Sequence, residues 1–334
     1  STMWCLGAGP SHVLSSDLPT VRTCLQFGLA CGSDLPITYG LDLPTARTRT
    51  CLQLELDAFL DEQTFREIGT FSRSLRVEER EKTPGDGKIG GHGTVDGRPV
   101  AVFGDDITVY RGSSSIVGTR KEHRLYERAM AMGVPIVHFG ETGGARIPDT
   151  MGAEGISEPG GLFELAKRRH KVPMATMVTG QSFGGSSFLS ALSDYVVMVR
   201  GSCLAVTSPK VFEIATGELI SFEDVGGVDV HARKTGQIDL GVDTDQEAYE
   251  AIRKWLSYLP SNAWENAPRH EPEGSFDHDA ELADLVPAKR TRGYDMRRVV
   301  NRIVDPGSML EIQPMYARNV VCGLARLNGF SIGV

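Results

Sequence analysis

Two adjacent glycines, Gly184 and Gly185, stand between a buried apolar run and a short apolar helix. The run Val172 to Val178 precedes them and Tyr195 to Val199 follows, which predicts strand, turn, helix and strand. Glycine lets the backbone approach a ligand closely, and the start of a helix presents free N–H groups and a positive dipole end. The pair therefore predicts a site for a developing oxyanion, such as a thioester enolate. An ordinary packing turn would have the same sequence.

A second glycine turn follows another predicted buried strand. Gly143, Gly144, Ala145 and Arg146 come shortly after the apolar run Val134 to Phe139. Because ligands bind at the carboxyl ends of strands in parallel α/β sheets, both glycine turns are expected at that edge. Together they could offer two backbone donors to one oxygen atom, although two ordinary turns remain an alternative.

A small-residue loop runs into a basic helix. Gly112, Ser113 and Ser114 precede a cationic set in the helix predicted over Thr119 to Met132: Arg120, Lys121, His123, Arg124 and Arg128. Small residues expose N–H groups and the cations supply charge, so the segment suits phosphate binding. The alternative is a solvated helix face on which Glu122 and Glu127 pair with cations three or four residues away.

The remaining pattern indicates an α/β protein. Gly93 to Phe103 predicts a β-hairpin around the Asp96-Gly97 turn, and Ile107 to Tyr110 predicts a further strand. A flexible polar loop is expected over Glu78 to Lys88, and a long helix over Asp245 to Tyr258. Strands that alternate with helices in this way are typical of an α/β domain.

The chain contains an internal echo. Asp61 to Ile68 resembles Asp305 to Ile312 at an offset of 244, and Gly91 to Val102 resembles Gly323 to Val334 at an offset of 232. This predicts one complete domain over 51–262, a linker over 263–280, and the beginning of a truncated second copy over 281–334. Residues 1–50 repeat a short Asp-Leu-Pro phrase and are expected to form an irregular arm of unknown role. A domain cannot close on one hairpin, so the second copy is either cut short or completed by another chain.

Composition narrows the function classes. The 334 residues carry a net charge of −8 without a long run of like charge, which argues against a nucleic-acid or membrane surface. The six cysteines form no C-x-x-C pair and the histidines form no ligand pattern, so no metal site is predicted. No secretory signal or membrane-length apolar run is visible. A cytoplasmic location is expected, or the mitochondrial matrix if the protein is eukaryotic.

Six stretches in order resemble one known family: GETGGARI from Gly140, GQSFGGSS from Gly180, SDYVVMVR from Ser193, VGGVDVH from Val225, SYLPSN from Ser257, and YDMR from Tyr294. They are similar to the β (carboxyltransferase) subunit of biotin-dependent acyl-CoA carboxylases, of the propionyl-CoA carboxylase type, over about residues 55–334. The resemblance implies a crotonase-like (ClpP/crotonase) α/β fold of repeated ββα units, with two such domains in the family's subunit.

The resemblance also implies a reaction. Carboxybiotin on a partner protein donates its carboxyl group to the α-carbon of an acyl-CoA, through an enolate held in an oxyanion hole. Gly184 and Gly185 match the family's donor pair. The residues matched to the acyl-CoA pocket, together with the two cations assigned to substrate, are Gly112, Ser113, Ser114, Lys121, Gly143, Gly144, Ala145 and Arg146.

The implied partners are an α subunit with biotin carboxylase and biotin carrier domains, and further β subunits in a hexamer. The implied cofactor is biotin on that partner, with a coenzyme A thioester as substrate and no metal. The family's biotin-side glycine pair belongs to its second domain, beyond Val334. Two alternatives therefore stay open: a decarboxylase or transcarboxylase half, and a catalytically incomplete CoA-binding assembly module.

Overall fold

The computed structural model describes residues 51–150, 162–168, 171–272, 282–289 and 291–334. All of these belong to one compact unit, Arg49–Val334. The irregular arm predicted for residues 1–50 and part of the predicted linker, 273–280, lie outside the described residues. The domain limits proposed from the sequence remain predictions.

The Asp96-Gly97 turn closes the predicted hairpin. Strands β2 (Lys88–Val95) and β3 (Arg98–Asp105) pair antiparallel, with Val95 opposite Arg98. Asp96 has a φ of 51° and Gly97 a φ of 75°, as a two-residue turn between twisted strands requires. The predicted hairpin is confirmed, and it extends eight residues along each strand.

A seven-stranded mixed sheet forms the centre of the fold. Besides the hairpin it contains β1 (Arg66–Glu67), β4 (Ile136–Phe139), β5 (Met174–Val178), β7 (Tyr195–Val199) and β9 (Leu240–Val242). The strand order is β1-β2-β3-β4-β5-β7-β9. The strands from β3 onward run parallel, whereas β1 and β2 are antiparallel to their neighbours. A separate parallel pair joins β6 (Gln181–Phe183) to β8 (Cys203–Ala205).

Helices cover both faces of the sheet, which explains why its central strands are continuous apolar runs. One face packs on α1 (Cys51–Phe59) and α9 (Asp245–Ser257), and the other on α2 (Ile116–Met132), α4 (Leu162–Lys167) and α5 (Gly185–Leu192). The other helices are α3 (Ile147–Thr150), α6 (Pro209–Thr216), α7 (Phe222–Gly226), α8 (Val228–Val230), α10 (Leu282–Leu285) and α11 (Met296–Ile303).

Local sequence explains where the two longest helices begin and end. Ser115 caps α2 by accepting a hydrogen bond from Gly118 N–H, and Gly133 ends the helix with a φ of 65°. Thr244 and Glu247 form a reciprocal capping box at the start of α9. The helices predicted from the sequence are therefore confirmed, with their limits moved by a few residues.

Two sequence predictions are wrong. The segment Ile107 to Tyr110 is no strand, because the Asp106 carboxylate accepts hydrogen bonds from the N–H and hydroxyl of Thr108 and turns the chain. The expected flexible loop over Glu78 to Lys88 instead forms two 3₁₀ turns, Val77–Lys82 and Pro84–Gly87. Asp86, in the second turn, is buried and forms an ion pair with Arg146, whose Nη1 lies 2.7 Å from Asp86 Oδ1.

The carboxyl-terminal hairpin repeats the amino-terminal one. Strands β10 (Leu310–Ile312), β11 (Cys322–Leu327) and β12 (Phe330–Gly333) form an antiparallel sheet after α11. Glu67 of β1 lies opposite Gly91, and Glu311 of β10 lies opposite Gly323, at the same two offsets that relate the sequences. The echo found in the sequence is thus repeated in the strand pairing, and its assignment to the beginning of a second domain stays a prediction.

The repeated hairpin packs on the first sheet's core. Leu310 belongs to the same buried cluster as residues of α1, β5 and α9, and Ile312 and Leu324 pack against it. Hydrogen bonds reinforce this contact: the Tyr258 hydroxyl donates to Ser308 O, and Arg326 donates to the Ser257 hydroxyl at 2.8 Å. The hairpin is therefore part of the core rather than an appendage.

Candidate active site

A cavity of about 290 Å³ lies at the carboxyl ends of β3, β4 and β5, where α2 and α5 begin. Four residues singled out from the sequence line it: Ser114, Gly144, Ala145 and Gly185. The structure thus brings together both glycine turns and the serine loop. They converge because consecutive parallel strands end at one edge of the sheet.

The start of α5 presents backbone N–H groups to this cavity. Gly184 has a φ of 59° and a ψ of −121°, a conformation that residues with a Cβ rarely adopt. Its N–H donates to Val206 O at 3.2 Å, so it is already occupied. Gly185 is the first residue of the helix, and its N–H meets no acceptor among the described residues. A Cβ added at Gly185 would meet no atom within 4 Å, so there is open space beside this residue.

The Gly143 loop is held by the serine loop. Ser114 N–H donates to Gly144 O and Arg146 N–H donates to Ser114 O, each at 2.7 Å. Gly143 N–H donates to Arg111 O at 2.8 Å. The N–H of Ala145 lies between these bonds and has no acceptor among the described residues. Among the residues singled out from the sequence, those that line the cavity with an N–H group left over are therefore Ala145 and Gly185, rather than Gly184 and Gly185.

Gly112 and Ser113 support this loop without lining the cavity. Gly112 has a φ of 66°, and its carbonyl accepts the Thr142 hydroxyl at 2.7 Å. The Ser113 carbonyl accepts a hydrogen bond from the Arg146 guanidinium at 3.0 Å. Both residues thus fix the path of the backbone that carries Ser114.

The structure does not place Lys121 and Arg146 where a substrate-binding cation would stand. The Lys121 ammonium is buried, donates to Lys88 O and lies 3.3 Å from a Glu67 carboxylate oxygen. The Arg146 guanidinium is also buried, paired with Asp86 at 2.7 Å and with Asp149 at 3.7 Å. Both side chains are committed to carboxylates of the fold, so this structure gives no support to their assignment to the substrate, which stays a prediction.

Three ionisable side chains that the sequence analysis did not select also line the cavity: Lys88, Asp105 and Glu122. Lys88 and Asp105 lie directly opposite each other in the β2–β3 hairpin, and Glu122 faces them from α2. The Lys88 ammonium lies 3.0 Å from Asp105 Oδ1 and 2.5 Å from Glu122 Oε2. All three residues are less than 8% exposed.

Burial and mutual attraction set the protonation of this group. Burial raises the pKa of Asp105 to about 6, against the opposing influence of Lys88. Burial alone would lower the pKa of Lys88, but the Asp105 and Glu122 carboxylates outweigh it and raise that pKa. A charged ammonium between two carboxyl groups therefore lines the cavity. In the sequence, this group is visible only as a charged residue at the first position of β2, Lys88, and another at the last position of β3, Asp105.

The described part of the chain shows neither a helix that is long and apolar enough to cross a membrane nor a cluster of three or more His, Cys, Asp or Glu residues suited to a metal ion.

Comparisons with known proteins show the family and the fold of this chain. The carboxyl transferase domain family matches residues 45–334. The carboxyltransferase subunit of propionyl-CoA carboxylase from Haloferax mediterranei is 38% identical over 300 residues, which cover 87% of this chain and 56% of that protein. The chain therefore spans about half the length of the curated relatives it matches.

Two solved structures share the fold. The transcarboxylase 12S crystal structure, with methylmalonyl-coenzyme A and methylmalonic acid bound, matches with a TM-score of 0.79 and 34% identity, covering 84% of this chain and 56% of that one. A single-chain, multi-domain long-chain acyl-CoA carboxylase matches with a TM-score of 0.74 and 27% identity, covering 84% and 28%. The expected crotonase-like α/β fold is confirmed, and the chain belongs to the carboxyl transferase domain family.

Proposed function

We propose that this chain forms the acyl-CoA side of a biotin-dependent carboxyltransferase. One observation carries the proposal: the N–H groups of Ala145 and Gly185 line one cavity at the carboxyl edge of a crotonase-like sheet. Loss of a proton from the α-carbon of an acyl thioester turns the thioester carbonyl into an enolate oxygen. Two preorganised donors at that oxygen stabilise the charge as it develops, which lowers the barrier.

Several features of the fold set up this geometry. The strand ends place the two turns side by side, and the hydrogen bonds between Ser114 and the Gly143 loop fix the direction of Ala145 N–H. The Gly184 N–H, bound to Val206 O, anchors the turn before α5. The dipole of α5 then adds positive potential at Gly185. Carboxybiotin on a partner protein would supply the carboxyl group that the enolate carbon accepts.

The described residues fit a thioester better than a hydrolytic reaction. Open space faces Gly185, so a carbonyl oxygen can approach its N–H. Two nearby hydroxyls donate locally: Ser182 to Ser186 Oγ at 2.8 Å and Ser187 to Gly184 O at 2.7 Å. The site thus offers donors for an oxyanion rather than an activated serine nucleophile.

The test is carboxyl transfer from carboxybiotin, presented on a carrier protein, to acetyl-, propionyl- and longer acyl-CoA. We expect labelled carboxyl to appear in at least one acyl-CoA, and Gly185→Val to remove that activity. Absence of transfer to every acyl-CoA, from a folded protein that is assembled with a biotin carrier, would refute the proposal.

A transcarboxylase or decarboxylase direction is the second candidate, because the transcarboxylase 12S neighbour was solved with methylmalonyl-coenzyme A. The same enolate forms when a malonyl-type thioester loses its carboxyl group. Supplying methylmalonyl-CoA with unloaded biotin carrier, and following carboxyl transfer to the carrier, tests this direction. Binding of CoA thioesters without turnover in either direction would instead favour an assembly module.

The partners remain part of the proposal. Transcarboxylase 12S assembles as a hexamer, and curated relatives are named as subunits of biotin-dependent carboxylases. We accordingly propose assembly with further carboxyltransferase copies and with a biotin-carrying α subunit. Light scattering on the purified protein, alone and with such a subunit, checks both associations.

A further inference from the structure

The candidate cavity is lined by buried ions as well as by hydroxyl and apolar side chains. The ion cluster (Lys88, Asp105 and Glu122) lines the cavity together with a set of apolar side chains: Ile116, Leu162, Phe183, Phe188 and Leu189. A cavity for a purely aliphatic acyl chain needs no ions, and burying charges costs free energy unless something compensates for it. The placement of the cluster therefore calls for an explanation beyond packing.

The cluster has hydrogen-bonding capacity left over. Glu122 is satisfied on both sides, since Oε1 accepts the Tyr126 hydroxyl at 2.5 Å and Oε2 accepts from Lys88 Nζ. Asp105 differs: it is 6% exposed, its Oδ1 lies 3.0 Å from Lys88 Nζ, and its side chain accepts a hydrogen bond from no other described residue. The Lys88 ammonium has three N–H donors, of which two point toward these carboxyl groups.

A ligand group that both donates and accepts would complete this pair. A hydroxyl can donate to the Asp105 carboxylate while it accepts the third N–H of Lys88. A methyl group in the same place would exclude water and leave both groups unsatisfied, which is unfavourable. A carboxylate would add negative charge beside two carboxyl groups that share one ammonium.

On the basis of the function proposed above, we propose that the ion cluster selects acyl-CoA substrates whose acyl chain carries a hydroxyl group at its far end. The backbone donors of Ala145 and Gly185 would hold the thioester oxygen, and the apolar walls would contact the methylene groups. Sites that hydrogen-bond a hydroxyl reject analogues that lack it far more strongly than apolar pockets reject an added methylene. The cluster would then determine which substrate is preferred rather than how the enolate is stabilised.

The experiment compares matched substrates in the assembled enzyme. ω-Hydroxyacyl-CoA thioesters are set against unsubstituted thioesters with the same number of heavy atoms in the acyl chain, over chains of about three to six carbons. The measured quantity is the ratio of kcat/KM values for carboxyl transfer. We expect the wild type to favour the hydroxylated substrate by about tenfold or more, since a good hydrogen bond to a charged group is worth at least that factor.

Variants separate selection from folding. Asp105→Asn keeps the shape but weakens the acceptor, and should reduce the preference. The triple variant Lys88→Met, Asp105→Leu, Glu122→Gln removes the charges together, leaving no unpaired ion, and keeps an acceptor for Tyr126. It should bring the ratio to within about twofold of one, or reverse it. Lys254→Met, which removes a lysine of α9 on the other face of the sheet, is the control and should keep the wild-type ratio.

The outcomes are distinguishable. Transfer to acyl-CoA with equal ratios in wild type and triple variant would overturn this inference and leave the proposed function standing. If no transfer is seen with any thioester, the proposed function fails, and calorimetric binding of the same substrate pairs decides the inference. Tighter binding of the hydroxylated thioester, lost in the triple variant, would support it. Equal binding would show that the cluster is structural only.

Discussion

Asp61 and Asp305 hold two hairpins of the chain in the same way. Each carboxylate accepts hydrogen bonds from two consecutive backbone N–H groups at a tight turn: Asp96 and Gly97 in one hairpin, Asn328 and Gly329 in the other. All four bonds measure 2.7 to 3.0 Å. Asp96 and Asn328 both have a φ of 51°, so the repeat extends to the backbone conformation of the turns.

Alanine at either aspartate should loosen its own hairpin only. Asp305→Ala leaves two N–H groups without their acceptor, and should lower the free energy of unfolding by about 1–3 kcal/mol. Asp61→Ala should cost at least as much, because Asp61 also accepts the Thr94 hydroxyl at 2.6 Å. Hydrogen exchange measures the effect site by site. If Asp61→Ala speeds amide exchange at residues 328 and 329 as much as at residues 96 and 97, the expectation that each aspartate stabilises only its own hairpin is wrong.

Substitutions at Gly184 and Gly185 should have different consequences. Gly185 lies in helical geometry with open space around it, so Gly185→Val should fold normally while its side chain enters the cavity. We expect carboxyl transfer to fall by about 10²-fold or more, the loss typical of one oxyanion donor, with an unchanged melting temperature.

Gly184 has a φ of 59°, so Gly184→Ala should lower stability by roughly 1 kcal/mol or more. Thermal unfolding beside kcat/KM separates the two effects. A melting temperature that falls in Gly185→Val as much as in Gly184→Ala would show that both glycines are required by the turn alone.

Lys121 should prove structural. Lys121→Met removes the ammonium that lies 3.3 Å from Glu67 and donates to Lys88 O, so stability should fall by roughly 1–3 kcal/mol. The KM for acyl-CoA should stay within about twofold of wild type, because the ammonium does not face the cavity. Urea unfolding and steady-state kinetics check the two halves. A large rise in KM with unchanged stability would restore Lys121 to the substrate site.

His138 should make the protein acid-sensitive. It is fully buried, stacks on Phe103 with ring centroids 4.6 Å apart, and burial together with the Lys88 charge lowers its pKa to about 3. The unfolded chain binds a proton near the ordinary value of 6.5, so this residue's contribution to stability falls as the pH drops from 6.5 toward 3.

The variant His138→Gln isolates that contribution. The difference in unfolding free energy between wild type and His138→Gln should shrink by up to ~1.4 kcal/mol for each pH unit below 6.5. Comparing variant with wild type removes the opposite effect of Asp105, whose raised pKa of about 6 favours the folded state at lower pH. His123→Gln, on the surface of α2, is the control. A pH-independent difference for His138→Gln would contradict this expectation.

Local sequence was enough to predict the parts of the fold that local chemistry decides. The Asp96-Gly97 turn determines the hairpin, and the glycine pair at 184–185 determines where α5 begins. Which glycine N–H stays available to a ligand could not be predicted. It depends on Val206 O, just after β8, which accepts the hydrogen bond of Gly184 N–H. The segment at 107–110 was mispredicted because its apolar residues match a strand while the Asp106 side chain directs a turn.

The burial of charged side chains was the other feature that could be predicted only in part from the sequence. Lys121 and Glu122 lie on the same helix face as Leu125, Tyr126 and Ala129, and this spacing already indicates the core side of α2. The ion cluster itself combines a residue from each of β2, β3 and α2. Only strand pairing and helix packing bring these side chains together, so single-sequence patterns do not reveal them.

The packing of the repeated hairpin has a practical meaning for anyone who shortens this protein. Leu310 fills the same core as α9, and the Lys254 ammonium donates to Met309 O at 3.1 Å. A gene cut after residue 262 would remove the apolar side chains that pack beside α9 and would expose that part of the core. It would also leave the Tyr258 hydroxyl without its acceptor, Ser308 O. The carboxyl-terminal hairpin and the seven-stranded sheet share one hydrophobic core. The boundary that the sequence suggests between them is therefore not a point at which the protein can be cut.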